Sequence, residues 1–76
     1  MVEMKIVLTT INDINNFVNS VSRCDFGIDL SSGRYIVDGK SIMGILSLDL
    51  SHPISLRAYT NDPTFAESIK QFAAAE

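Results

Sequence analysis

The chain contains no tryptophan, one cysteine, one histidine and two prolines. A lone cysteine, Cys24, rules out an internal disulfide and any cysteine-spaced metal site. It reads instead as a small buried hydrophobe closing a helix, because a reactive thiol needs an electropositive, exposed setting and Asp25 lies beside it. Positive charge is also scarce: six Lys+Arg stand against nine Asp+Glu, a net charge of −3. Nucleic-acid binding, which needs a basic face, is therefore not expected. No apolar run approaches the roughly 20 residues of a membrane span. The Met1 end has no charged segment followed by a long apolar one, so no secretory leader is expected, and the reading is cytoplasmic. The acids Asp29, Asp38, Asp49 and Asp62 fall in turns and strands without the spacing of a metal cage or a catalytic carboxylate pair. Ser32-Gly33 and Asp38-Gly39 read as turns, not as loops that cradle phosphate. No enzymatic activity, cofactor or metal is predicted.

What is present suffices for one core. Hydrophobic residues make up 46% of the 76 residues and charged residues 20%, the balance of an ordinary globular domain. A chain this short buries only about 60% of its unfolded surface, so one domain over residues 1–76 is predicted. Val2, Met4, Ile6 and Leu8 alternate with Glu3, Lys5 and Val7 as a half-buried strand. Thr10 then reads as an N-cap with Asp13 in capping-box position, opening a helix whose stripe is Ile11, Ile14, Phe17, Val18 and Val21. That helix should end near Arg23-Cys24-Asp25. Phe26 to Leu30 alternates again, Ser31-Ser32-Gly33 should turn, and Arg34 to Asp38 should return as a strand. After Leu50-Ser51-His52-Pro53, the residues Ile54, Leu56 and Ala58 alternate as a fourth strand. Asp62-Pro63 reads as a cap and first helical residue, with Phe65, Ala66, Ile69, Phe72 and Ala73 as the last helix's apolar face. Ala74-Ala75-Glu76 should fray. The order is β-α-β-β-α-β-α, which predicts an α+β fold with an antiparallel sheet covered on one side. Periodicity does not choose the strand order.

The stretch from Asp38 to Leu48 holds more apolar surface than its place requires. Gly39 loosens the backbone, Ser41 stands where an N-cap belongs, and a short helix follows. At roughly 100° per residue Ile45 and Leu48 share one face, Met43 and Leu46 lie on another, and Ile42 falls between. One stripe is enough to seat such a helix on a sheet. The second is either further core or a surface for a partner.

Lys40-Ser41-Ile42-Met43-Gly44, followed by Ile45-Leu46-Ser47-Leu48, resembles the regulatory-serine segment of the bacterial phosphocarrier protein HPr. That family comprises the small histidine-phosphorylated proteins of the phosphoenolpyruvate-dependent sugar phosphotransferase system. The similarity is strongest over residues 40–48, runs without obvious gaps from about Cys24 to Thr60, and is looser at both ends. It implies an open-faced two-layer sandwich with strand order 1-4-2-3, three helices on one face and solvent on the other. It also implies that Ser41 is a regulatory phosphorylation site for an ATP-dependent kinase. Lys40, Ile42, Met43 and Leu46 become partner-binding residues, and the implied partners are that kinase and a transcriptional regulator of catabolite control.

The chain departs from the family where the carrier chemistry should be. The family's phosphoacceptor histidine lies after the first strand, followed by Ala-Arg-Pro. Here Leu8-Thr9-Thr10-Ile11-Asn12-Asp13-Ile14 contains no His, Arg or Pro, and the loop is several residues shorter. The histidine slot falls near Thr10 and the arginine slot near Asn12, and Asp13 adds negative charge where a phosphate would sit. The leading expectation is a non-catalytic HPr-like regulatory module, a divergent member lacking the histidine loop, monomeric or weakly dimeric. Two alternatives are carried beside it. One is a phosphotransfer component using a displaced acceptor, His52, on the loop that the resemblance places at the same end. The other is a structural relative in which Ser41 is only a cap.

Overall fold

The strand periodicities assemble into one four-stranded antiparallel sheet in the computed structural model, which describes residues 1–74. The elements in chain order are β1 (Val2–Ile6), α1 (Ile11–Val21), β2 (Ile28–Ser32), β3 (Tyr35–Asp38), α2 (Ile42–Leu46), β4 (Ile54–Ala58) and α3 (Pro63–Ser68). A short 3₁₀ turn at Lys70–Phe72 follows α3. The sheet order is β1-β4-β2-β3. β4 is central: Leu56 faces Met4 of β1 on one side and Leu30 of β2 on the other. The α+β architecture and the 1-4-2-3 order are as expected.

Period-2 alternation puts Ile6, Ile28, Leu30, Ile54, Leu56 and Ala58 on the covered face. The helices close over them with Ile14, Phe17 and Val21 from α1, Ile45 from α2 and Phe65 from α3. Phe17 meets Phe72 edge to face at 5.4 Å between ring centroids, and Phe26 meets Phe65 likewise at 5.3 Å. The opposite face carries Glu3, Lys5, Asp29, Ser31, Ser55 and Arg57. There the Lys5 ammonium donates to the Ser55 hydroxyl at 2.8 Å, and the Arg57 guanidinium lies 3.4 Å from the Glu3 carboxylate.

Several boundaries differ from the periodic reading. β1 ends at Ile6 because its partner β4 begins at Ile54, directly after Pro53, which has no N–H to extend the ladder. Leu8 stays buried beyond the strand. α1 ends at Val21, with Ser22 as its C-cap, slightly before the expected stop. Its first residue, Ile11, points outward instead of joining the stripe. Cys24 is half-buried against the core rather than enclosed by it. The hairpin turn is at Gly33-Arg34, since Ser31 and Ser32 are held in β2 opposite Ile36 and Tyr35. Gly33 has φ of 60°, the left-handed value a two-residue hairpin turn needs at its first position.

The last helix is interrupted at Ile69, whose backbone leaves the helical region at φ −117°, ψ 13°. The break lets both Ile69 and Phe72 reach the core, and it frees the following residues to meet β1. Val7 N–H donates to the Phe72 carbonyl at 2.8 Å and Ala74 N–H to the Lys5 carbonyl at 3.0 Å. Ala73 is therefore exposed in a bridge to Ile6 instead of facing the core, and Ala74 is tied down instead of frayed. The expected fraying of Ala75 and Glu76 falls outside the described residues.

Phe17 joins α1 to the sheet and to Phe72. We expect Phe17→Ala to cost about 3–5 kcal/mol, a large share of what holds so small a domain together. A thermal melt measures it, and a midpoint within a degree or two of wild type would show that Phe17 is not central to the core.

Candidate functional site

Two helix starts matter here, and they are chemically opposite. At the start of α1, Thr10 caps the helix by accepting the Asp13 N–H at 3.0 Å. The Asp13 carboxylate reaches back and accepts three donors on one oxygen: Thr9 N–H at 3.1 Å, Thr9 Oγ1–H at 2.8 Å and Thr10 N–H at 3.3 Å. The Thr9 N–H, then its hydroxyl, hold the Asp13 pKa below the ordinary aspartate value of 3.8. A carboxylate thus lies at the positive dipole end of α1 and takes the Thr9 and Thr10 N–H groups just before it, opposing the approach of an external anion.

At the start of α2 the cap is a neutral hydroxyl. Ser41 Oγ accepts the Gly44 N–H at 3.1 Å, and Ser41 N–H donates to the Asp38 carbonyl at 3.0 Å. The preceding turn is packed, not loose. Gly39 N–H donates to the Ile28 carbonyl at 2.7 Å, and a Cβ on Gly39 would come within 2.7 Å of Ile28 Cγ2. The glycine is there for close approach, correcting the expectation that it loosens the backbone. Lys40 is also more constrained than its sequence position suggests. Its ammonium donates to the Cys24 carbonyl at 2.6 Å, just past the end of α1, while its N–H donates to the Asp38 carboxylate at 2.9 Å. No local sequence signal marks that long-range bond.

With the turn fixed, the facing of α2 follows. Ile45 and, just beyond the helix, Leu48 are buried. Ile42, Met43 and Leu46 are 39%, 80% and 49% exposed. The second apolar stripe is surface.

His52 is an exposed loop residue. Because Ile6 pairs with Ile54, its loop leaves the sheet at the same end as the β1–α1 connection. Its setting is acidic: the Asp49 carboxylate in the same loop accepts the Ser51 hydroxyl and N–H, which hold its pKa low, with the charge of His52 adding to the effect.

The crystal structure of HPr-C-His from Thermoanaerobacter tengcongensis matches this chain with a TM-score of 0.73 at 25% sequence identity. The match covers 92% of this chain and 85% of that one. The fold is HPr-like. No protein-family model and no curated protein matches the chain.

On this HPr-like scaffold the three outward residues of α2 and Ser41 are brought together, with Lys40 turned toward α1 and His52 on a separate loop. Among the described residues no group of three or more His, Cys, Asp or Glu could hold a metal ion, and no helix is long and apolar enough to cross a membrane.

The Asp13 interaction has a definite pH signature. Its carboxyl is more acidic folded than unfolded, so its stabilising contribution is full above the unfolded value of about 3.8. That contribution is lost as pH falls through the lower folded value. We expect the difference in melting temperature between wild type and Asp13→Asn to be largest near neutrality and to shrink below about pH 3.8. A melting series from pH 7 to pH 2 checks this. A difference independent of pH would mean that the charged form contributes nothing at the helix start.

Proposed function

We propose that this chain is a non-catalytic, HPr-like regulatory module that recognises proteins of the phosphotransferase and catabolite-control type in the cytoplasm. Its docking surface is Ile42, Met43 and Leu46 on α2, and phosphorylation of Ser41 switches it. The observation that carries this reading is the outward apolar triad beside a hydroxyl cap, on a scaffold whose other helix start is already filled by Asp13. Three large apolar side chains on a five-residue helix stand outside the buried core, and clustered exposed apolar residues mark interaction surfaces. Met43, flexible and polarizable, adapts to a partner better than a branched residue would.

Phosphate at Ser41 suits this geometry. Its oxygens would replace the hydroxyl as acceptor of the Gly44 N–H, at the end of α2 where negative charge is favoured. The fold would be kept while the charge beside Met43 changes by about −2. Lys40 supports the site by holding the turn through the Cys24 carbonyl, and it flanks any partner docked at Ser41.

Incubation with a bacterial HPr kinase and ATP tests the switch. Mass spectrometry should find one phosphate on Ser41 and none on Ser20, Ser22, Ser31, Ser32 or Ser47, with the far-UV spectrum unchanged. An unmodified chain with an active cognate kinase would leave Ser41 as a cap and nothing more. Incubation with phosphoenolpyruvate and the upstream phosphotransferase enzyme should yield no acid-labile, alkali-stable phosphate. Its appearance on His52 would establish the carrier reading instead.

The surface is tested separately. Met43→Lys should leave the melting temperature nearly unchanged while weakening binding of the Ser41-phosphorylated protein to a catabolite-control transcriptional regulator by at least about tenfold, roughly 1.4 kcal/mol. Equal binding by the variant would move the docking surface elsewhere.

A further inference from the structure

The two edges of the sheet are treated differently. β1 meets the C-terminal segment on its outer side, through the Val7–Phe72 and Lys5–Ala74 hydrogen bonds. β3 pairs only with β2. Its large apolar residues Tyr35 and Ile36 are 71% and 69% exposed, and Arg34 and Asp38 bracket them. Ser32 and Tyr35 close the two-residue turn, so their backbone groups face each other. By antiparallel alternation the N–H and C=O of Ile36 then point away from β2 into solvent. Such an edge is a template for another strand.

We propose that the strand completing this edge is β3 of a second copy of the chain, paired antiparallel about a two-fold axis through Ile36. In this register Ile36 faces Ile36, Tyr35 faces Val37, and Arg34, the turn residue just before β3, comes beside Asp38 at each end. The segment is self-complementary in charge. Parallel pairing in register would set Arg34 against Arg34 and Asp38 against Asp38. A shift of two residues along either strand would lose at least one of the ion pairs.

The charge row across the open face supports the same choice. It runs Glu3, Arg57, Asp29, Asp38 through the registers of three ladders. Arg57 is already engaged by Glu3. Asp29 accepts the Tyr59 hydroxyl at 2.7 Å and stands directly opposite Asp38. Two carboxylates in opposed positions are unfavourable, and Asp38 ends the row at the free edge without a cation. Arg34 makes no ion pair among the described residues. The partner's arginine would supply the missing charge.

The pairing joins two sheets into one of eight strands, with the two-fold axis perpendicular to it and both sets of helices on one side. A Cβ on Gly44 would come within 3.1 Å of Val37 Cβ, so α2 lies over β3 and the two Met43 surfaces would flank the axis. A single strand edge buries far less than the roughly 1,200 Å² of a stable interface. The association is therefore weak, and its exposed ion pairs make it sensitive to salt. It does not depend on Ser41 being modified.

Sedimentation equilibrium on the full chain tests this, over about 10 μM to about 1 mM protein. At low salt the average mass should climb toward that of a dimer with concentration, and added salt should reverse the rise. Arg34→Glu and Asp38→Arg should each weaken association at least about tenfold when alone. An equimolar mixture of the two should restore it, because each variant supplies the charge the other has lost. Asp38 also holds the Lys40 turn, so Ile36→Lys serves as a second disruption that leaves the turn intact, with melting curves confirming that every variant is folded. A wild-type chain that stays monomeric at the highest concentration and low salt would overturn the proposal. So would a dimer that survives Ile36→Lys, or single charge variants that associate as wild type does.

Discussion

Burial on one side only is the constraint from which the rest of this molecule follows. A single sheet face must hold the strands' apolar residues and seat three helices, and none of the residues buried there is polar or charged among those described. A chain of 76 residues has material for one such layer. Each helix therefore commits one stripe to it and no more. For α2 that stripe is Ile45, continued by Leu48, and Ile42, Met43 and Leu46 are left partly or largely in solvent. Their exposure is a consequence of geometry, and their apolar character is what calls for a functional explanation.

The two helix starts share one physical feature and resolve it in opposite ways. Each presents free N–H groups at a positive dipole end. At α1 the chain answers with its own carboxylate, so charge is already neutralised and the Thr9 and Thr10 donors are occupied. At α2 it answers with a hydroxyl, which satisfies a single N–H and brings no charge. An added phosphate would meet repulsion at the first and accommodation at the second. The local electrostatics thus distinguish the two starts, one carrying its own negative charge and one capped without it.

Much of this was legible in the sequence because the signals are local. Thr10 with Asp13, Asp62 with Pro63 and Ser41 ahead of Ile42 are capping patterns that a few neighbouring residues determine. Strand alternation located the covered face, and helical spacing sorted Ile45 from Met43. The misses around α2 and the C-terminal segment are long-range. Gly39 looked like a flexible turn because nothing in sequence places Ile28 beneath it. Lys40 looked free because the Cys24 carbonyl is sixteen positions away. The break at Ile69 follows from where Phe17 and β1 lie, and the order of strands came from resemblance, since periodicity is blind to it.

β4 sits between β1 and β2, yet it is the last of the four strands among the described residues. During synthesis the β2–β3 hairpin can close as soon as both strands have emerged. β1 is made first and waits longest, because residues 54–58 must leave the ribosome before Val2 to Ile6 have any strand to pair with. The first strand therefore has no strand partner until β4 is made, and the sheet closes when this central strand is inserted. Contacts spanning nearly the whole chain slow this closure. Until β4 is made, the nascent strands are open to chaperones and prone to pair wrongly with their neighbours.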